Sequence, residues 1–474
     1  MNSPEWYRGK DVVVLGLARS GAAVAKLFRD FGASVTVNDK KERSSCPEAD
    51  ELEALGISVV CGHHPDSLIH PGVSLIVKNP GIPYSIPPVQ AAQRLGIEIV
   101  TEVEVAYYIS KAPIVAITGS NGKTTTTTWV GRMLESSGLH TIVAGNIGRP
   151  LCEAALETEE QSRLVAELSS FQLKGTSAFR PKVACLLNIS EAHLDYHGSM
   201  DDYIASKAKL FANQRNGDIA VINWDDPECR RIGQSLSHTV IPFSSRKRLD
   251  AGLYIDPPLA SEEDSLTEEH ALVYRSGNGE ETVILPAKEL GIPGRHNAEN
   301  ALAAAACAIA AGARMDSIVR SLREFRGVEH RLEFVRELHG VEYYNNSKAT
   351  NTQATATALR AFEKPVVLIA GGLNRNLDFH DLLPLMKKKV KAVVTLGETR
   401  DIFAELAREA GISAVKVVDN GNSASEALDE AVRAANAFAV SGDVVLLSPA
   451  CASWDMFESY EVRGRMFKQS VHKL

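Results

Sequence analysis

Short apolar runs rich in Val, Ile and Leu recur along the chain, and most are followed by a turn and a stretch with apolar residues at helical spacing. Such runs read as strands buried on both faces, the signature of a largely parallel sheet covered by helices. They fall at 11–15, 34–39, 73–78, 114–117, 141–146, 163–168, 183–188 and 219–226. From about 240 to 290 the pattern changes. Alternating runs at 253–255, 271–274 and 282–285 lie between charged turns, so antiparallel strands are expected there. An alanine-rich helix then runs from 296 to 311, and 366–371, 392–397, 414–419 and 444–448 read as strands separated by helices.

One junction organises the rest. In Val115-Ala-Ile-Thr-Gly-Ser-Asn-Gly-Lys-Thr-Thr125 an apolar run breaks at Gly119 and Gly122 and passes straight into Lys123. Trp129, Val130, Met133 and Leu134 then mark one face of a helix. A strand, a glycine-rich turn and a helix N-terminus make a phosphate site, because free turn N–H groups and the helix dipole both favour negative charge. Gly119, Ser120, Asn121, Gly122 and Thr125 would surround the phosphates of a nucleotide. Lys123 would reach the β- and γ-phosphates, and the Thr124 hydroxyl would hold a Mg²⁺ ion. The loop is shorter than G-x-x-x-x-G-K-[ST], since Ile117 stands where that pattern has glycine. An ordinary strand–helix connection is the alternative.

At 474 residues the chain is too long for one core. An α/β chain of three domains is expected: a Rossmann-like N-terminal domain at 1–101, a central P-loop-type ATPase domain at 102–327, and a Rossmann-like C-terminal domain at 328–474. The central domain would carry a mainly parallel sheet plus a small antiparallel one. A net charge of −8 argues against a nucleic-acid surface. No apolar run approaches the roughly 18 residues of a membrane span, and the start has no apolar signal core, so a cytoplasmic chain is expected. Seven cysteines stand singly, with no C-x-x-C pair, which fits reduced thiols. His63-His64 beside Cys61 reads as a surface loop.

The first strand opens onto Gly16, Leu17, Ala18 and Arg19, then Gly21, and the second ends at Asp39. This is nearly the dinucleotide fingerprint, but Ala18 replaces the glycine that lets backbone approach a pyrophosphate. A nicotinamide, another nucleotide and plain Rossmann-like packing all remain open. Asn79-Pro-Gly-Ile82 is a turn at a strand's C-terminal end, where such folds bind ligands.

Taken together, Thr118–Thr125, Asn146-Ile-Gly148, Glu167-Leu-Ser-Ser-Phe-Gln-Leu173, Asn188-Ile-Ser-Glu-Ala-His-Leu-Asp195, His296-Asn-Ala-Glu-Asn300 and His330-Arg331 resemble the Mur ligases. These are the ATP-dependent amino-acid-adding enzymes of peptidoglycan synthesis, and the resemblance covers almost the whole chain. Asn346-Ser-Lys-Ala-Thr-Asn351 and Ser448-Pro-Ala-Cys-Ala-Ser-Trp-Asp-Met-Phe457 resemble the branch that adds D-glutamate. The resemblance implies a UDP-sugar rather than a nicotinamide in the first domain. It implies ATP, Mg²⁺, UDP-N-acetylmuramoyl-L-alanine and D-glutamate as ligands, and a monomer is the expected state. It places Glu167 and His193 on metal ions, and a carbamylated Lys207 at the second ion, with Lys209 as rival by position. Asn297, Arg331 and Asn346 would meet the nucleotide; Gly16, Leu17, Ala18, Arg19, Asp39, Asn146 and Ser169 the UDP substrate. Lys348, Thr350, Arg375, Ser453, Trp454 and Tyr460 would surround D-glutamate. The branch usually has Asp where this chain has Asn346; an amide can still accept from a ribose hydroxyl but loses the charge, so weaker ATP affinity is expected. A folylpolyglutamate-type ligase, which needs no UDP-binding first domain, is one rival. A nucleotide-gated regulatory protein with degenerate catalysis is another.

Overall fold

Three mostly parallel sheets are built from the apolar runs, in the computed structural model that describes all residues except 262, 263, 265, 376, 377 and 420–422. The first sheet has five parallel strands in the spatial order Ser58–Cys61, Ser34–Asp39, Asp11–Leu15, Val73–Lys78, Ile99–Val100. Its order reverses between Asp11–Leu15 and Val73–Lys78, so the turns after these two strands flank the crevice where an open α/β sheet takes its ligand. Helix Arg19–Asp30 covers one face through Val24, Leu27 and Phe28, all buried.

The second sheet has nine strands: Glu281–Pro286, Ala271–Arg275, Gly252–Asp256, Thr239–Ser244, Ile219–Asn223, Val183–Leu186, Ile114–Thr118, Arg163–Glu167, Thr141–Gly145. The three runs expected to be antiparallel pair so: Gly252–Asp256 with Ala271–Arg275, and Ala271–Arg275 with Glu281–Pro286. Thr239–Ser244 pairs parallel with Ile219–Asn223, and Gly252–Asp256 continues parallel beside it. Antiparallel pairing therefore begins at Gly252–Asp256, and in the last pair a bulge lets two residues of Val283–Leu285 pass where the partner strand steps from Leu272 to Val273.

The third sheet orders Glu333–Leu338, Val341–Asn345, Val444–Leu447, Val366–Ala370, Val390–Thr395, Ala414–Val417, with only its first pair antiparallel. The chain forms two compact units. The first holds the first two sheets and residues 299–322, and the second holds the third sheet and residues 288–298.

Within the first unit, helix Glu102–Ile109 links the two sheets through buried carboxylates. Glu104 accepts the backbone N–H groups of Ser177, Ala178 and Phe179 at 2.9, 2.7 and 3.1 Å, and Glu102 accepts that of Cys152 at 2.9 Å. A buried charge persists only when hydrogen-bonded in this way, each such bond contributing about 1.5–3 kcal/mol. All seven cysteines are free, and no helix among the described residues is long and apolar enough to cross a membrane.

Candidate functional site

Strand Ile114–Thr118 is buried along its whole length and delivers the chain into the Gly119–Gly122 turn and helix Lys123–Ser136. Ile117 is fully buried and paired with both neighbouring strands, so the strand occupies the place where longer loops already have glycine. Glycine is required at two points. Gly122 has φ +82° and a Cβ there would lie 2.2 Å from Asn300 Oδ1, while one on Gly119 would lie 2.8 Å from Leu187 Cβ. Asn188 braces the turn, its backbone carbonyl accepting from Ser120 N–H at 3.0 Å and its Oδ1 from Asn121 N–H at 2.8 Å. Thr124 and Thr125 sit buried in the first helical turn, where the N–H groups lack helical partners.

Two lysines converge on one carbonyl of this turn. Lys123 Nζ donates to Gly119 O and Ser120 O, each at 2.9 Å, and Lys207 Nζ donates to Gly119 O at 2.8 Å. Lys207 is 1 % exposed at the end of helix Met200–Ala208, with the Tyr203 ring 4.7 Å from its Nζ. Burial first, and Lys123 second, push its pKa down to about 6, so the amine is neutral at pH 7. Lys209 Nζ points elsewhere, donating to Lys174 O and Thr176 O at 2.7 and 2.9 Å. Of the rivals, only Lys207 reaches the turn.

Glu167 ends the strand beside Ile117 and is 1 % exposed. Its Oε1 accepts from Asn146 Nδ2 at 2.8 Å, whereas Oε2 is buried with no hydrogen-bond partner among the described residues. A buried carboxylate oxygen without a donor suits a hard cation. Gly145 is needed here, since a Cβ at its φ of +112° would lie 2.4 Å from Glu167 O. His193 adopts the left-handed conformation (φ 57°) at the start of a short helical turn, its ring edge-on to Phe171 at 4.8 Å. Burial and then the Lys123 charge lower its pKa, leaving the neutral imidazole that a metal requires. Among the described residues no three His, Cys, Asp or Glu side chains cluster as a ready-made cation cage. The donors fit Mg²⁺ in another way, since that ion takes few protein oxygens and completes its shell with phosphates and water.

A cleft of about 490 Å³ in the first unit is lined by Ala18, Arg19, Asn79, Asn146, Ser169 and Phe171 among others. Four of the seven positions expected at the UDP substrate thus share one wall system. The other three shape the turn. Gly16 has φ +100° and packs so that a Cβ would lie 2.7 Å from Asn79 Cβ, and Leu17 N–H donates to Asp39 Oδ2 at 2.7 Å. Ser169 caps helix Ser170–Lys174 in a reciprocal pair with Gln172. His63 and His64 belong to the first sheet's rim, where Asn38 binds both.

Asn297, Arg331 and Asn346, expected at the nucleotide, are residues of the second unit. Asn346 is buried with both amide ends engaged: Oδ1 accepts from Leu332 N–H at 3.2 Å and Nδ2 donates to Ser448 Oγ at 3.0 Å. Asn297 Nδ2 donates to Pro293 O at 2.5 Å. Arg331 lies between His330 and Leu332, both at positive φ, a strained stretch of the kind found at binding sites. Arg375 stacks its guanidinium 4.7 Å over Trp454, and Lys348 sits 5.4 Å over Tyr460. Ser453 is buried, Thr350 half-buried, and Trp454 is 65 % exposed. Arg463 joins the two loops that carry these residues. It is 1 % exposed and donates to Ser347 Oγ, Ser347 O and Cys451 O at 3.0, 2.8 and 3.1 Å. Nothing in its helical spacing sets it apart from a surface arginine.

Three family models match the chain: a MurD-like N-terminal domain of Mur ligases at 10–101, the Mur ligase middle domain at 117–308, and the Mur ligase glutamate ligase domain at 330–451. The UDP-N-acetylmuramoylalanine–D-glutamate ligase of Geobacillus kaustophilus is 46 % identical over 475 residues, covering 100 % of both chains. That of Latilactobacillus sakei is 45 % identical, covering 99 % of this chain and 98 % of its own. Among solved structures, MurF from Acinetobacter baumannii superposes with a TM-score of 0.61 at 19 % identity, covering 94 % of this chain and 91 % of its own. UDP-N-acetylmuramate-alanine ligase MurC from Thermotoga maritima gives 0.57 at 20 % identity, covering 98 % and 99 %. These two likenesses concern the fold.

Proposed function

The chain belongs to the Mur ligase family, and from that premise we propose that it joins D-glutamate to UDP-N-acetylmuramoyl-L-alanine at the expense of ATP, in peptidoglycan precursor synthesis. The match of residues 10–101 to a MurD-like N-terminal domain favours this over a folylpolyglutamate-type ligase. The observation that carries the chemistry is the convergence of Lys123 and Lys207 on Gly119 O, in the unit where Glu167 keeps an unpartnered oxygen. The proposed domain limits are 101/102 and 327/328, and the proposed setting is the cytoplasm, with the chain acting as a monomer.

A carboxylate resists attack by an amine until one oxygen becomes a good leaving group. In the proposed reaction an oxygen of the L-alanine carboxylate attacks the γ-phosphorus of ATP and ADP departs, leaving an acyl phosphate. The D-glutamate amine attacks the acyl carbon, gives up a proton, and inorganic phosphate leaves as the amide forms. The loop N–H groups from Gly119 to Thr125 hold the phosphates, and Lys123 leaves Gly119 O to follow the charge that gathers on the transferring group. Thr124, Glu167, His193 and a carbamylated Lys207 would hold Mg²⁺, which when bound neutralises charge on ATP and the carboxylate. The cleft beside Arg19, Asn146 and Ser169 would orient the UDP substrate. Arg375 would bind a D-glutamate carboxylate through its planar fork, with Lys348, Thr350, Ser453, Trp454 and Tyr460 around it. Asn297 and Arg331 would contact the nucleotide. Asn346 can still accept from a ribose hydroxyl through the second lone pair of the Oδ1 that binds Leu332 N–H, but without the charge of an aspartate.

The test is ADP release with UDP-N-acetylmuramoyl-L-alanine and a panel of D- and L-amino acids. D-Glutamate alone should stimulate turnover strongly, and stimulation by L-lysine or diaminopimelate in its place refutes the assignment within the family. For Arg375→Lys the KM for D-glutamate should rise roughly tenfold, about 1.4 kcal/mol, while the KM for ATP stays put, because an ammonium offers no bidentate fork. Equal shifts in both constants would give Arg375 a different task.

A further inference from the structure

Lys78 has no part in the chemistry described so far, yet it is a lysine only 1 % exposed, at the end of strand Val73–Lys78. Its Nζ donates to Ile82 O at 2.6 Å and reaches Asn79 O and Pro80 O at 3.2 Å each, so the ammonium gathers the whole 79–82 turn around itself. The fourth acceptor comes from the short helical turn Leu194–His197 of the same unit: Lys78 Nζ donates to Tyr196 Oη at 3.2 Å. Tyr196 Oη in turn donates to Pro80 O at 2.9 Å. Both polar roles of that hydroxyl are therefore spent on the turn, and a phenylalanine could fill neither.

What lies at each end gives the pair its meaning. Asn79, Pro80 and Gly81 line the cleft, as does Phe171. Tyr196 is three residues beyond His193. Its ring is edge-on to Phe171 at 4.5 Å, and Phe171 meets the His193 ring at 4.8 Å. The cleft wall and the backbone that sets His193 are thus tied twice, through the hydroxyl and through the aromatic stack. His193 holds a positive φ that an L-residue adopts only under constraint from its surroundings.

We propose that Lys78 and Tyr196 are positioning residues, forming a strut that couples occupation of the substrate cleft to the placement of His193 for metal. This rests on the function proposed above and deepens it. A UDP substrate pressing on the 79–81 turn and Phe171 would settle the strut, and His193 would then meet the ion in one orientation. Neither residue touches the reacting atoms. The mechanical connection is local, running through one turn, one hydroxyl and one ring. Burial also lowers the Lys78 pKa to about 7, and the carbonyl shell and Tyr196 are what compensate the charged form.

The experiment measures Mn²⁺ affinity by water-proton relaxation on the full-length protein bound to a non-hydrolysable ATP analogue, with and without UDP-N-acetylmuramoyl-L-alanine. In the wild type the UDP substrate should tighten Mn²⁺ about fivefold or more, the lower end of ordinary coupling between sites. In Tyr196→Phe, which keeps the ring stack, and in Lys78→Met that gain should fall below about twofold, and the double variant should be no worse than either single one, because the two act as one unit. The KM for D-glutamate should not move in Tyr196→Phe. Full coupling retained in Tyr196→Phe, absence of coupling in the wild type, or additive losses would each overturn the strut. If Lys78→Met does not fold, Tyr196→Phe decides alone. Wild-type turnover with D-glutamate is scored separately, so failure of the strut and failure of the proposed reaction give different results.

Discussion

Lys123→Ala should lose about three orders of magnitude in kcat, roughly 4 kcal/mol of transition-state stabilisation. The lysine roots in the first turn of a rigid helix, and its ammonium is parked on Gly119 O and Ser120 O, carbonyls of the turn that would wrap the phosphates. Moving from two neutral acceptors to a phosphoryl group carrying growing charge strengthens the interaction along the reaction path, which is what lowers a barrier. Steady-state ADP release measures the loss, and the KM for the UDP substrate should change little. Near-wild-type turnover would refute the phosphate-loop reading outright.

The second large effect is expected at Lys207. A charged lysine beside Mg²⁺ is unfavourable even with strong screening. A carbamate, formed when the neutral amine attacks CO₂, replaces it with a hard oxygen donor. The buried Nζ, with its pKa near 6, already supplies that neutral amine at pH 7. Lys207→Ala should be folded, as circular dichroism would show, and nearly inactive, with a loss of about 10³-fold. Acetate, small enough to enter the vacated space, should restore part of the activity. It should do nothing for Lys209→Ala, whose ammonium caps Lys174 O and Thr176 O, or for Lys123→Ala, whose missing group is a cation. Retention of most activity in Lys207→Ala would remove the carbamate from the mechanism.

Much of this architecture is legible in the residue pattern, for identifiable reasons. Buried parallel strands are continuous apolar runs, and the strand–turn–helix at 114–136 announces itself because glycine, lysine and threonine each answer a separate steric or electrostatic demand. Spacing alone hardly separates Lys207 from Lys209, but their surroundings differ: one side chain lies under the turn and the other caps a neighbouring helix. What the sequence hides is long-range polar pairing. Lys78 looks like any strand-end lysine, Tyr196 like any loop tyrosine, and Arg463 like a solvated helix arginine. Their burial depends on which loops the topology folds over them. The antiparallel strands at 252–256, 271–275 and 281–286 are legible because short alternating runs between charged turns leave one face to solvent.

The antiparallel end of the nine-stranded sheet has a consequence for how the protein survives at high concentration. Among the described residues Glu281–Pro286 pairs as a strand only with Ala271–Arg275, so its other side is a sheet edge, the kind of template that a second molecule can extend. Three local features spoil that template. The bulge opposite Leu272 and Val273 breaks the regular ladder, Pro286 contributes no N–H, and Glu281 places a carboxylate at the start, held by Arg275 at 2.7 Å. Only Val283, 63 % exposed, offers an apolar handle along the strand. Each of these features works against strand-to-strand pairing at this edge, so a wide sheet can end in an open strand without templating its own growth.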